Sequence, residues 1–268
     1  MKKSLRKILY RIFILFNQKI YHIENGKKIK YLFFPKKSDE LIISFSGFAG
    51  ENKKPKYNYI KTLKGVEKNQ IYILDDFGYK KSGSYYLGEN GDYFLEREIP
   101  RLVNKIKHKY NIKKVYTIGT SKGGWACLYY GILLGCDVVI CGAPQYYIGN
   151  YLNTTCYHKK ILKSITKNQE KWEIKDLNYK LRNAIKEFDI SNIKFIIHYS
   201  KNEHTYKDHI CYLLKDLKSE NAYIEEDISN YLSHHEVGIY FKKVLLKVFN
   251  KKYYNRKGID MKKVMLVF

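Results

Sequence analysis

Five stretches of the chain, ELIISFSG, NQIYILDDFG, KKVYTIG, CDVVICGAP and IKFIIHYS, are apolar with almost no alternation. A strand with water on one side alternates polar and apolar residues, so runs of this kind mark interior strands covered by helices on both faces. Between them the pattern changes period. Phe94, Leu95, Ile99, Leu102, Val103 and Ile106 recur at helical spacing, and further helices read from Lys122 to about Leu134, around Tyr206 to Leu217 and from about Val237 to Phe249. Strand, helix, strand implies a right-handed parallel crossover. The alternation therefore predicts a three-layer α/β/α sandwich with a mostly parallel sheet. Ahead of it, KIYHIE and KKIKYLFF flank Asn25-Gly26, the strongest short hairpin signal, so the chain should join the sheet through an N-terminal antiparallel hairpin. A short AYIEED reads as a last strand.

The length of 268 residues, 45% of them hydrophobic, suits one large domain with a full core. Its expected extent is 18–250, with a polar and aromatic insertion at about 145–192, a basic amphipathic segment over 1–17 before it and a basic tail over 251–268 after it. The opening MKKSLRKILYRIFILFNQ starts like a signal peptide, but Arg11 interrupts the apolar run and no small-residue cleavage site follows. It is too short to span a bilayer. It reads as a surface helix packed on its own domain or as a helix touching an anionic membrane. A formal charge of +24 favours anionic partners, whether acidic glycan, phospholipid or nucleic acid. No RNA-binding signature, zinc finger or helix-turn-helix spacing supports a specific nucleic-acid reader. Five scattered cysteines without C-x-x-C spacing argue against a disulfide frame and a zinc site, and fit a cytoplasmic protein, with peripheral contact at the inner membrane face left open by the basic helix.

The run YTIGTSKGG holds Gly119-Thr120-Ser121-Lys122-Gly123, a G-x-S-x-G spacing at the junction of a predicted strand and a predicted helix. That is the context of a nucleophile elbow, a strained turn that lifts a serine hydroxyl above the sheet edge. Serine needs a base, and the base an acid to hold it. The expected chain order is serine, a carboxylate after a later strand, then a histidine near the end. Glu203 follows the strand IKFIIHYS, with Asp208 in reserve. For the base, His235 is preferred over His234, because HEVGIYF opens the last helix and leaves His235 on the loop side. The oxyanion donors expected are the backbone N–H of Lys122 and that of Phe48, where Gly47 allows close approach of the backbone to a substrate. Tyr85, Tyr86, Tyr146 and Tyr147 sit on loops expected to flank the elbow, where they could stack on sugar rings. His198, His204 and His209 cluster without metal-ligand spacing, so no metal and no cofactor is expected.

Over roughly residues 40 to 245 the chain resembles the α/β-hydrolase superfamily, on GTSKGG, SFSGFAG, Glu203 and His235. DDFGYKKSGSYYLG, SKGG and GAPQYYIGNYL are similar to runs in hydrolase-like proteins of bacterial capsule and accessory-secretion gene clusters. The resemblance implies an esterase or acyltransferase acting on an ester of a polar, carbohydrate-type substrate of a surface polysaccharide, which the positive charge would attract if that glycan is acidic. Some such relatives are non-catalytic, so the alternative it implies is a hydrolase-like scaffold in glycan biosynthesis or secretion. A plain binder of anionic polymers is the third reading, carried by charge alone.

Overall fold

The computed structural model describes residues 2–23, 26–48, 50–51, 53–167 and 171–249. The tail over 251–268 and Asn25 of the hairpin turn lie outside them. The described chain forms an eight-stranded sheet in the order β1-β2-β4-β3-β5-β6-β7-β8. The strands are β1 (Gln18–His22), β2 (Lys28–Phe34), β3 (Glu40–Phe45), β4 (Asn69–Leu74), β5 (Lys114–Thr120), β6 (Val138–Gly142), β7 (Lys194–Ser200) and β8 (Tyr223–Ser229). β1 and β2 pair as the expected hairpin, β2 runs antiparallel to β4, and every other neighbouring pair is parallel. The five apolar runs are β3 to β7, and β4 is buried along its whole length.

Successive residues of a strand point to opposite sides, and the two sides feed two cores. Leu41, Ile43, Phe45, Val139, Cys141 and Ile197 join one with α3 (Phe94–Lys109), α4 (Lys122–Leu133), α7 (Lys171–Glu187) and α8 (Cys211–Ser219). Ile42, Tyr116, Ile118, Ile140 and Ile196 join the other with α2 (Ile60–Leu63) and α9 (Val237–Phe249), against which Phe13 and Ile14 of α1 (Lys2–Asn17) also pack. This is the three-layer sandwich expected. The insertion read over 145–192 folds as helix: α5 (Ile148–Leu152) and α6 (Cys156–Ile165) precede α7, whose Leu177, Leu181, Ala184 and Ile185 are buried. No helix among the described residues is long and apolar enough to cross a membrane. All five cysteines are free.

Parallel packing aligns the C-terminal ends of β3, β4, β5, β6 and β7 along one edge. Open α/β sheets bind ligands at that edge, and Ser46, Asp75, Ser121, Ala143 and Glu203 all lie in the turns that leave it.

Candidate active site

Ser121 follows β5 directly and caps α4 with φ 56° and ψ −125°, a backbone that side-chain-bearing residues rarely adopt. The flanking glycines make the turn possible. A Cβ on Gly119 would lie 2.0 Å from the Gly123 carbonyl oxygen, and one on Gly123 would lie 2.5 Å from that of Phe45. Both close contacts are backbone on backbone, so neither neighbour can step aside. The G-x-S-x-G spacing is thus a steric requirement of strand, turn and helix packed this tightly.

Three side chains from distant parts of the chain meet at this turn. The Ser121 hydroxyl lies 2.9 Å from His234 Nε2, and His234 Nδ1 lies 3.0 Å from Glu203 Oε1. Glu203 is buried, and its other oxygen accepts a short hydrogen bond from the Thr205 hydroxyl. Burial pushes the Glu203 carboxyl up, but hydrogen bonds from His234 and Thr205 and the nearby His204 ring outweigh it, leaving the group below its ordinary value. A carboxylate facing Nδ1 favours the tautomer that carries its proton there, the arrangement in which Nε2 can accept from the serine hydroxyl.

The ring that reaches Ser121 belongs to His234, whereas the sequence favoured His235. The cause is a capping box. The Ser233 hydroxyl accepts from the turn's backbone and the Glu236 carboxylate accepts from the Ser233 amide, which starts a 3-10 turn at His234. The first residue of that turn faces the sheet edge, and His235, one position on, is exposed. The pattern Ser-x-x-Glu over 233–236 was the available signal.

Gln145 went unnamed among the expected site residues. It is fully buried in the turn after β6, and its Nε2 donates to the Ser121 hydroxyl at 3.0 Å. Its Oε1 accepts from the Tyr85 hydroxyl at 3.2 Å, which fixes the direction of the amide. Tyr85 therefore acts behind the site. Tyr86 does likewise: its hydroxyl donates to the Ile73 carbonyl and accepts from the Ser46 amide at 2.5 Å, pinning the end of β3. Tyr146 donates to Asp216 at 2.6 Å. All three rings are buried and none offers a face to a sugar. Tyr147, half-buried, leans on Tyr146, His209 and Tyr212.

Lys122 shows why an unusual residue follows the serine. Its side chain is fully buried, and the ammonium sits 2.6 Å from Asp75 Oδ2, over the rings of Tyr86 and Phe48. Burial pulls the ammonium below the ordinary lysine value, with Asp75 opposing. Asp75 also accepts from the amides of Ser84 and Tyr86. The pair thus ties the elbow to the loop after β4. Gly83, at φ 106°, makes room for it: a Cβ there would fall 2.4 Å from the Lys122 ammonium.

The Lys122 and Phe48 amides, the expected oxyanion donors, give no hydrogen bond to another described residue. Gly47 is held in place through its amide, which donates to Asn58 Oδ1 at 3.2 Å. Asp208 lies exposed on a π-helical turn away from the histidine. The cluster suggested by His198, His204 and His209 does not exist as a unit: His198 pairs with Asp227 at 2.6 Å, His204 reaches Glu203, and His209 accepts from the Tyr147 amide. No group of residues able to hold a metal ion is found among the described residues.

No protein-family model and no curated protein sequence matches the chain. Solved structures do. The capsule O-acetyltransferase of Neisseria meningitidis serogroup A superposes with a TM-score of 0.74 at 20% identity, covering 86% of this chain and 94% of that one. The glycosylation-associated Gap123 complex of Streptococcus agalactiae gives 0.70 at 19% identity, covering 87% of this chain and 46% of that one. FphF, a fluorophosphonate-binding serine hydrolase of Staphylococcus aureus, gives 0.64 at 14% identity over 87% of this chain and 96% of that one. With the eight-stranded, mostly parallel sheet and the serine turn after β5, these likenesses show that the chain has the α/β-hydrolase fold.

Proposed function

We propose that the protein is a serine esterase or acyltransferase working on an ester of a polar, carbohydrate-type substrate. The observation that carries this reading is the hydrogen-bonded sequence Ser121, His234, Glu203 at the C-terminal edge of the sheet. Ser121 Oγ attacks the acyl carbon while its proton passes to His234 Nε2, and Glu203 steadies the imidazolium that forms. The oxygen of the former carbonyl, now negative, is bound by the Lys122 and Phe48 amides. The intermediate collapses as His234 returns the proton to the departing oxygen or sulfur. In the second half, water or an acceptor hydroxyl gives its proton to His234, attacks the acyl-serine and frees Ser121. Gln145, donating to the serine hydroxyl, holds the nucleophile in its resting place.

The transfer reading, with a surface polysaccharide as acceptor, draws on two likenesses: a capsule O-acetyltransferase has this fold, and a variant of that enzyme has been solved in complex with CoA. Half-buried rings that could meet a sugar are those of Phe48, Tyr151 and His158: His158 stacks on Phe48 beside the β3 turn and lies tilted against Tyr151, and the three take the place expected of Tyr85, Tyr86 and Tyr146.

A fluorophosphonate probe tests the chemistry. Labelling of the wild type, lost in Ser121→Ala and His234→Ala and kept in His235→Ala, is the expected result. Turnover of short-chain nitrophenyl esters should fall at least about a thousandfold in the first two variants. A wild type that neither labels nor turns over esters would overturn the reading. The scaffold alternative predicts instead that Ser121→Ala complements a deletion strain as well as wild type does.

A further inference from the structure

Helix α1 carries two apolar faces, and only one of them is used. Tyr10, Phe13, Ile14 and Asn17 face the domain: the Tyr10 hydroxyl accepts from the Tyr57 amide at 3.3 Å, Phe13 stacks on Phe34, and Ile14 joins the core beneath α9. Ile8, Leu9, Ile12, Leu15 and Phe16 are exposed, Leu15 by 78% and Phe16 by 80%. At 3.6 residues per turn these positions, spaced i, i+1, i+4, i+7 and i+8, form one stripe opposite the packed face. Ile20 of β1, next along the chain, is also exposed. A stripe of five large apolar side chains on a soluble domain marks a surface that is covered by something.

The charge of the helix indicates what covers it. Its sequence KKSLRKILYRIFILFN contains Lys2, Lys3, Arg6, Lys7 and Arg11 and no acidic residue. Arg11 borders the stripe and is itself exposed. The whole chain is +24, so two copies meeting through this face would bring like charges together. An anionic bilayer offers both complements at once: acyl chains for the stripe and headgroup phosphates for the cations. With 16 residues the helix is too short to cross a membrane and of a length to lie along its surface.

We infer that α1 docks the protein on an anionic lipid surface, with Ile8, Leu9, Ile12, Leu15 and Phe16 entering the headgroup boundary. The inference is independent of the chemistry proposed for Ser121. Co-sedimentation of the full chain with vesicles of phosphatidylcholine mixed with phosphatidylglycerol, and with vesicles of phosphatidylcholine alone, tests it. Wild type should sediment with the mixed vesicles, and less so as salt is raised. The pair Leu15→Ser and Phe16→Ser, far from either core, should weaken partitioning about a hundredfold, or about 3 kcal/mol, with an unchanged circular-dichroism melt. Arg11→Glu should weaken binding to the mixed vesicles without affecting the melt. Equal sedimentation of wild type and the double variant would overturn the inference. So would equal binding to both kinds of vesicle, or failure of the wild type to sediment while the double variant converts a dimer in solution to a monomer.

Discussion

Breaking the Lys122–Asp75 pair should give unequal costs from its two sides. In Asp75→Asn the ammonium loses its counter-charge: Asp75 is the acceptor of the one hydrogen bond made by Lys122 Nζ among the described residues, an amide oxygen there would be neutral, and the side chain has no exposure to water. Leaving one charge of a buried pair uncompensated costs about 3–5 kcal/mol. For a chain of this size that is roughly 6–20 °C in melting temperature. In Lys122→Met the carboxylate still accepts from the Ser84 amide, the Ser84 hydroxyl and the Tyr86 amide. The loss is then one charge-assisted hydrogen bond, about 1.5–3 kcal/mol, and the thioether is left against the rings of Phe48 and Tyr86. The sharper expectation concerns the double variant. Adding Lys122→Met to Asp75→Asn should raise stability above that of Asp75→Asn alone, because it removes the orphaned charge. Guanidinium unfolding of the four proteins measures the cycle. If the lysine variant is the worse single change, or the double variant loses the sum of both, the pair does not work as argued.

Gly123→Ala should cost at least about 2–3 kcal/mol, since its Cβ would lie 2.5 Å from the Phe45 carbonyl oxygen and must push α4 off β3; a thermal melt measures it. His209 governs an acid-side loss of stability. Burial above all, helped by the nearby His204 and His234 and opposed by Asp208 and Glu203, pulls its pKa from 6.5 to about 4 and holds it neutral. Between those values the unfolded chain binds the extra proton, so stability rises with pH across this window and is lost on acidification, by up to about 3 kcal/mol. His209→Gln, which keeps an acceptor for the Tyr147 amide, should flatten the slope of melting temperature against pH between 4 and 6.5.

The layers of the fold could be read directly, because an interior strand needs apolar residues on both faces and β3 to β7 declare that in sequence. The serine turn was legible for a related reason: Gly119 and Gly123 are demanded by contacts under 3 Å to neighbouring backbone. What stayed hidden depends on directions that no periodicity encodes. One residue of rotation in a 3-10 turn decides whether His234 or His235 meets the serine. Tyr85 and Tyr86 looked like loop rings for a sugar, yet both have positive φ, at 55° and 59°, which turns them inward toward Gln145 and Ser46. Lys122 had every reason to read as surface charge, since lysine is rarely buried without a partner. Its partner, Asp75, lies 47 residues earlier.

The backbone at Ser121 sets folding and chemistry against each other. A residue with a Cβ at φ 56° and ψ −125° costs of order 1–3 kcal/mol, whereas glycine would sit there at ease. Replacing this serine by glycine should therefore make a hardier protein and a silent one. A chain serving only as a shape would be better built with glycine at that bend, so the strain stored at Ser121 is stability given up at the one place where a hydroxyl would be useful.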